Sequence, residues 1–72
     1  MSTDILKNFG SKVRTLRKQR NWSIETLAEE SNLHQNYLSD IERGTRNISL
    51  KAISKIALGF KISVSELLKD ET

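Results

Sequence analysis

Apolar residues along this chain recur at helical spacing, and β-branched residues never alternate over a run long enough to predict a strand. Ile5, Phe9, Val13 and Leu16 follow at i, i+4, i+8 and i+11, which predicts helix 1 over residues 4–20. Gly10 interrupts that stripe at roughly 1 kcal/mol against alanine, so it marks either close packing or a weak joint. Ser23 is the expected N-cap of helix 2, residues 24–31, with Trp22 and Leu27 placed for a hydrophobic staple. Its capping box is incomplete, because the third helical position holds Thr26 rather than Glu or Gln. Asn32 suits a turn position with positive φ. Helix 3 follows at 35–43, with Leu33, Tyr37, Leu38 and Ile41 on one face, His34 near its N-cap and Gly44 to stop it. After a polar loop at 44–48, Ser49 caps helix 4 over 50–60, whose apolar set is Leu50, Ile53, Ile56, Ala57 and Phe60. Lys61 takes the helix-ending position. Ser63 and Glu66 form a capping box for helix 5, about 64–69, carrying Leu67 and Leu68.

The pattern is all-α: five helices in one domain spanning residues 1–72, with no proline, linker or repeat. Helices 2 and 3, joined by three or four residues across about 23–43, make a helix-turn-helix. The face of helix 3 opposite its apolar stripe changes that picture most. It carries Gln35, Asn36, Ser39, Asp40 and Arg43. A merely solvated helix more often shows Lys and Glu in i, i+4 pairs. Amides at the start of a short helix suit the reading of base edges.

Charge is compatible with that reading. The net charge is +3 and the pI about 9.5. Lys7, Lys12, Arg14, Arg17, Lys18 and Arg20 are offset only by Asp4 in the first segment. Arg43, Arg46, Lys51, Lys55 and Lys61 form a second basic stretch. Acids gather at Glu25, Glu29 and Glu30 and again at the C-terminus. There is no cysteine, so disulfides and thiolate metal sites are excluded, and the lone His34 has no second His to share a metal. No cofactor is expected. With no nucleophile beside a plausible base, the residues do not assemble an enzyme site. The apolar runs are too short for a membrane span or a signal peptide, so the expected location is the cytoplasm, in contact with the nucleoid.

The run S-I-E-T-L-A-E-E-S-N-L-H-Q-N-Y-L-S-D-I-E-R-G resembles the helix-turn-helix of the Cro/repressor (XRE-type) superfamily. So do F-G-x-x-V-R-x-L-R-x-x-R before it and S-L-x-x-I-x-x-I-A after it, and the likeness extends from Phe9 to Leu68. Within the superfamily, I-E-R-G-x-R-N-x-S-L is most similar to controller proteins of restriction–modification systems. The resemblance implies the five-helix lambda-repressor-like fold, with helix 3 in the major groove of an operator. Gln35 and Asn36 would then read bases, with Ser39 and Asp40 one turn later. Asp40 has two readings, an acceptor for cytosine or a partner for Arg43. Phosphate contacts would come from Arg43, Thr45, Arg46 and Asn47, and from Ser23 and Ser49 at helix starts. Tyr37 either offers its hydroxyl to a phosphate or is structural. Arg17 and Glu42 occupy positions that bridge helix 1 to helix 3. Glu25 and Glu29 match positions at which an activating repressor meets RNA polymerase, or else they form a solubilising face. One residue departs from the pattern. Ile24 stands where relatives often carry a phosphate-clamping glutamine that braces the first reader, so Gln35 is expected to be less firmly placed and readout to lean on DNA shape.

A single motif reads too few base pairs for useful specificity, which implies a homodimer on a two-fold operator. Phe60, Ile62, Val64, Leu67 and Leu68 are the candidate interface residues. At least half of them must fill the core, with Val64 and Leu68 as the expected exposed share. The resulting expectation is a dimeric DNA-binding transcription regulator, an autoregulating controller. A phage-type repressor or antitoxin is the nearer alternative, and a basic helical protein-interaction adapter the more remote one.

Overall fold

Three serines and an aspartate set where the helices begin. In the computed structural model, which describes residues 4–69, the helices are α1 Ile5–Gln19, α2 Ile24–Ser31, α3 Gln35–Arg43, α4 Leu50–Phe60 and α5 Val64–Leu68. The side chains of Asp4, Ser23, Ser49 and Ser63 each accept the N–H three residues on, satisfying one otherwise orphaned donor per helix. At Ser63 only this half of the capping box forms. The Glu66 carboxylate is exposed and does not bond back. The acidic end at residues 70–72 lies outside the described residues.

The stops are left-handed residues. Asn32 (φ 57°), Gly44 (φ 74°) and Lys61 (φ 63°) follow α2, α3 and α4. In each case the next amide bonds back five residues: Leu33 to Ala28, Thr45 to Asp40, and Ile62 to Ala57, at 3.0 to 3.1 Å. This is the Schellman arrangement, which satisfies the last helical carbonyls.

Val13, Leu27, Leu38, Ile41, Ile53, Ile56, Ala57, Phe60 and Leu67 form one core drawn from all five helices. Helix α1 packs chiefly on α3, and α2 chiefly on α4. Both contacts are set by glycine. A Cβ on Gly10 would lie 2.1 Å from the Ile41 carbonyl oxygen, so the backbones of α1 and α3 meet there. Gly10 thus marks close packing. Gly59 brings α4 against the end of α2, where a Cβ would stand 3.0 Å from the Glu30 carbonyl oxygen.

Two residues read as core are on the surface. Ile5 is 74% and Leu50 82% exposed. Each is the first residue of its helix, where the chain arrives from outside and the apolar stripe has no neighbour to cover it. Trp22, the expected staple partner of Leu27, packs against the core with its ring stacked on Phe60, centroids 5.6 Å apart.

Candidate nucleic-acid interface

Leu38 is fully buried and Ile41 nearly so, which fixes one side of α3 in the core and turns Gln35 and Asn36 outward. Among the described residues neither amide side chain makes a hydrogen bond within the protein. The start of the helix is open as well. His34 provides no side-chain cap, so the first amides of α3 stay available beside the two side chains. Ile24 is half-buried against the core, so the first position of α2 offers Gln35 no polar brace.

An ion pair at the positions the resemblance implied ties the end of α3 to α1. Arg17 of α1 donates from Nε and its second terminal nitrogen to the two Glu42 oxygens at 2.8 and 3.0 Å. A third donor reaches the Trp22 carbonyl at 2.9 Å. One guanidinium therefore ties α1, the turn before α2 and the end of α3. The hydrogen bond to Glu42 raises the Arg17 pKa above its ordinary value, against the opposing effect of burial. A raised cation pKa gives stability that is fully present below the unfolded value and is lost as pH rises through the folded one. The working pH range therefore leaves this guanidinium charged.

The loop after α3 gathers the phosphate candidates. Arg43, Thr45, Arg46, Asn47 and Ser49 are all exposed. Asp40, also on α3, pairs with Arg43 and faces Nε of Arg46 at 3.4 Å. Arg46 lies over the Tyr37 ring at 5.2 Å from its centroid, a cation–π contact. Tyr37 is half-buried against the core, so its ring is structural while it supports an arginine. The hydroxyls of Ser23 and Ser49 accept helix amides at 3.1 Å. The Ser49 proton is left free to donate, while the Ser23 hydroxyl also meets Thr26 at 3.1 Å. Ser39 is half-buried on the same helix.

An open groove runs beside the start of α3, lined by Asn32, Leu33, His34, Tyr37, Arg46 and Lys55. Lys55 was not singled out as a contact in the sequence, although it belongs to the second basic stretch. Its place beside Arg46 follows from α4 packing on α2, which no local pattern reveals.

The proposed dimer residues divide sharply. Phe60 is 2% and Leu67 1% exposed, and Ile62 is half-buried against the core. Phe60 and Leu67 are therefore core residues and not interface residues, because stacking on Trp22 and closure of α5 onto the bundle consume their surfaces. Val64 (39%) and Leu68 (51%) are exposed, and Leu58 of α4 is more so at 76%. Leu58 lies outside the apolar set expected for helix 4 and outside the interface candidates, which were taken from Phe60 onward.

Residues 13–67 match the helix-turn-helix family model. The chain is 48% identical over 69 residues to the control protein C.BamHI of Bacillus amyloliquefaciens, covering 94% of this chain and 85% of that one. It is 43% identical over 68 residues to the control protein C.MunI of a Mycoplasma species, covering 93% and 92%. Among solved structures it superposes on the restriction–modification controller protein C.AhdI of Aeromonas hydrophila with a TM-score of 0.83. That match has 44% identity and covers 86% of this chain and 94% of the other. The family match and these relatives show a DNA-binding transcription regulator, not an enzyme. The chain belongs to the helix-turn-helix family, and its similarity within that family runs to controller proteins. Among the described residues no helix is long and apolar enough to cross a membrane.

Proposed function

We propose that this chain is a homodimeric, sequence-specific regulator that sets α3 into the major groove of a two-fold operator and controls its own expression within a restriction–modification system. The observation that carries the reading is the unpartnered Gln35–Asn36 pair at an uncapped helix start, anchored by Leu38 and Ile41 and aimed by Arg17–Glu42. An exposed amide can donate and accept at once, which matches the adenine edge. The controller proteins C.BamHI and C.MunI support the narrower assignment. Arg43, Thr45, Arg46, Asn47, Ser49 and the first amides of α4 are the proposed phosphate contacts, with Ser23 and the start of α2 at another phosphate. Glu25 and Glu29 are exposed and form no ion pair among the described residues, which fits a solubilising face as well as a polymerase contact. The proposed mechanism uses neither.

Selection of bound sites from random duplex DNA tests the reading. The expected product is a dyad-symmetric site with half-sites about 34–36 Å apart. Gln35→Ala and Asn36→Ala should each relax one base preference by about 1–3 kcal/mol, whereas Arg46→Ala should weaken binding without changing which bases are preferred at those positions. Failure to enrich any sequence, or binding that does not fall with salt, would point instead to a protein-interaction adapter. Position of the selected site upstream of this gene and a restriction gene separates a controller from a phage repressor or antitoxin.

Val64 and Leu68 lie four residues apart on one face of α5, and Leu58 sits just before the turn that leads there. This apolar surface is the proposed self-association face. Leu68→Asp, at an exposed position that leaves the core intact, should weaken the dimer at least about tenfold in sedimentation. A dimer of unchanged strength would move the interface elsewhere.

A further inference from the structure

Asp40 stands at the centre of a small network that joins the reading helix to the loop after it. Its Oδ1 meets Arg43, its Oδ2 faces Arg46 Nε at 3.4 Å, and its carbonyl accepts the Thr45 amide and hydroxyl at 3.1 and 3.3 Å. Both arginines are more than half exposed, and the carboxylate is 29% exposed. Pairs this exposed add little to folding. Their effect falls on what the arginines can bind next. A carboxylate that holds two guanidinium groups offers them the same chemistry as a phosphate.

We propose that Asp40 is a specificity-determining residue that competes with DNA phosphate for Arg43 and Arg46 and so ties the backbone grip to base reading. The inference rests on the DNA-binding reading above. In the free protein Asp40 pairs with both arginines and offsets one of their two charges. A duplex that offers only phosphates must draw them away and leave an unpaired carboxylate facing the polyanion. A duplex that presents a cytosine amino group to Asp40 supplies a replacement partner, so the grip and the readout are made together. The two sequence readings of Asp40, ion-pair partner and cytosine acceptor, become successive states of one residue. Non-specific binding is penalised and operator binding is spared.

The test is Asp40→Asn, which keeps the shape and removes the charge, measured on a random-sequence duplex and on the selected operator over a range of salt. The random duplex should bind about three- to tenfold tighter, with a smaller gain on the operator, so that the ratio between them falls. The salt slope on random DNA should steepen by about one, because no stranded carboxylate recruits a cation. Loss of any nearby negative charge would also tighten binding. For that reason the same substitution is repeated in an Arg43→Gln, Arg46→Gln background, where only the gain from the lost charge itself should remain and the gain on random DNA should be clearly smaller. A gain on random DNA that is undiminished there, or an unchanged operator-to-random ratio, overturns the proposal while leaving DNA binding intact. A wild-type chain that shifts neither duplex overturns both readings.

Discussion

Gly10→Ala should destabilise the protein by about 3 kcal/mol, near the upper end of what overpacking usually costs. Helix propensity alone predicts the opposite, a gain of about 1 kcal/mol from replacing a mid-helix glycine. The contact decides between them. The new Cβ would stand 2.1 Å from the Ile41 carbonyl oxygen and 2.8 Å from that of Glu42. Both obstacles are backbone in the last turns of α3, so no rotamer change relieves them and the two helices must move apart. Buried Val13 on α1 and Leu38 and Ile41 on α3 would then lose contact across the same seam. The loss is large beside the roughly 5–15 kcal/mol that holds a small domain together. The urea midpoint of the variant against wild type measures it, and a midpoint that rises would show that the seam is slack.

Helix positions were legible because most boundaries are marked by a local rule. Ser23, Ser49 and Ser63 cap, Asn32, Gly44 and Lys61 turn left-handed, and the apolar periodicity between them is regular. Boundaries therefore fell within a residue of the observed ones. Local rules do not say which face finds a neighbour. Leu50 and Leu58 sit in an apolar helix and are exposed, because α4 meets α2 and α5 on its other side. Arg20 shows the same limit. It donates to the Leu16 and Phe60 carbonyls at 3.2 and 3.0 Å and lies over the Phe60 ring at 4.7 Å, a clasp between the ends of α1 and α4. Forty residues separate Arg20 from Phe60, and nothing in either neighbourhood announces the contact.

At the interface the sequence separated chemical type better than state. Gln35 and Asn36 stood out because amides are unusual at the exposed start of a helix, and they are exposed and unpartnered as that reading requires. Asp40 remained ambiguous because one partner lies on its own helix and the other in the loop after it. Arg43 is reachable at i+3, whereas Arg46 comes within 3.4 Å only through the left-handed turn at Gly44. The resemblance located the Arg17–Glu42 brace, but the third bond to Trp22 depends on Asn21, whose φ of 57° turns that carbonyl toward the guanidinium.

That brace carries the second large effect. Glu42→Ala should cost about 3–5 kcal/mol, since it strands a guanidinium whose side chain is only 13% exposed and leaves it one carbonyl partner. Arg17→Met with Glu42→Leu removes both charges, fills similar volume and should restore most of the loss. The restored double variant then separates stability from aim. Arg17 holds α1, the Trp22 turn and the end of α3 with three fixed donors, and apolar side chains replace that geometry with contacts that specify no angle. The double variant should therefore melt near wild type and yet bind the selected operator at least about tenfold more weakly, with little change on random DNA. Melting curves and gel shifts on one preparation measure both. Full operator affinity in the stable double variant would mean that Leu38 and Ile41 alone orient α3, and that the ion pair serves the fold without serving recognition.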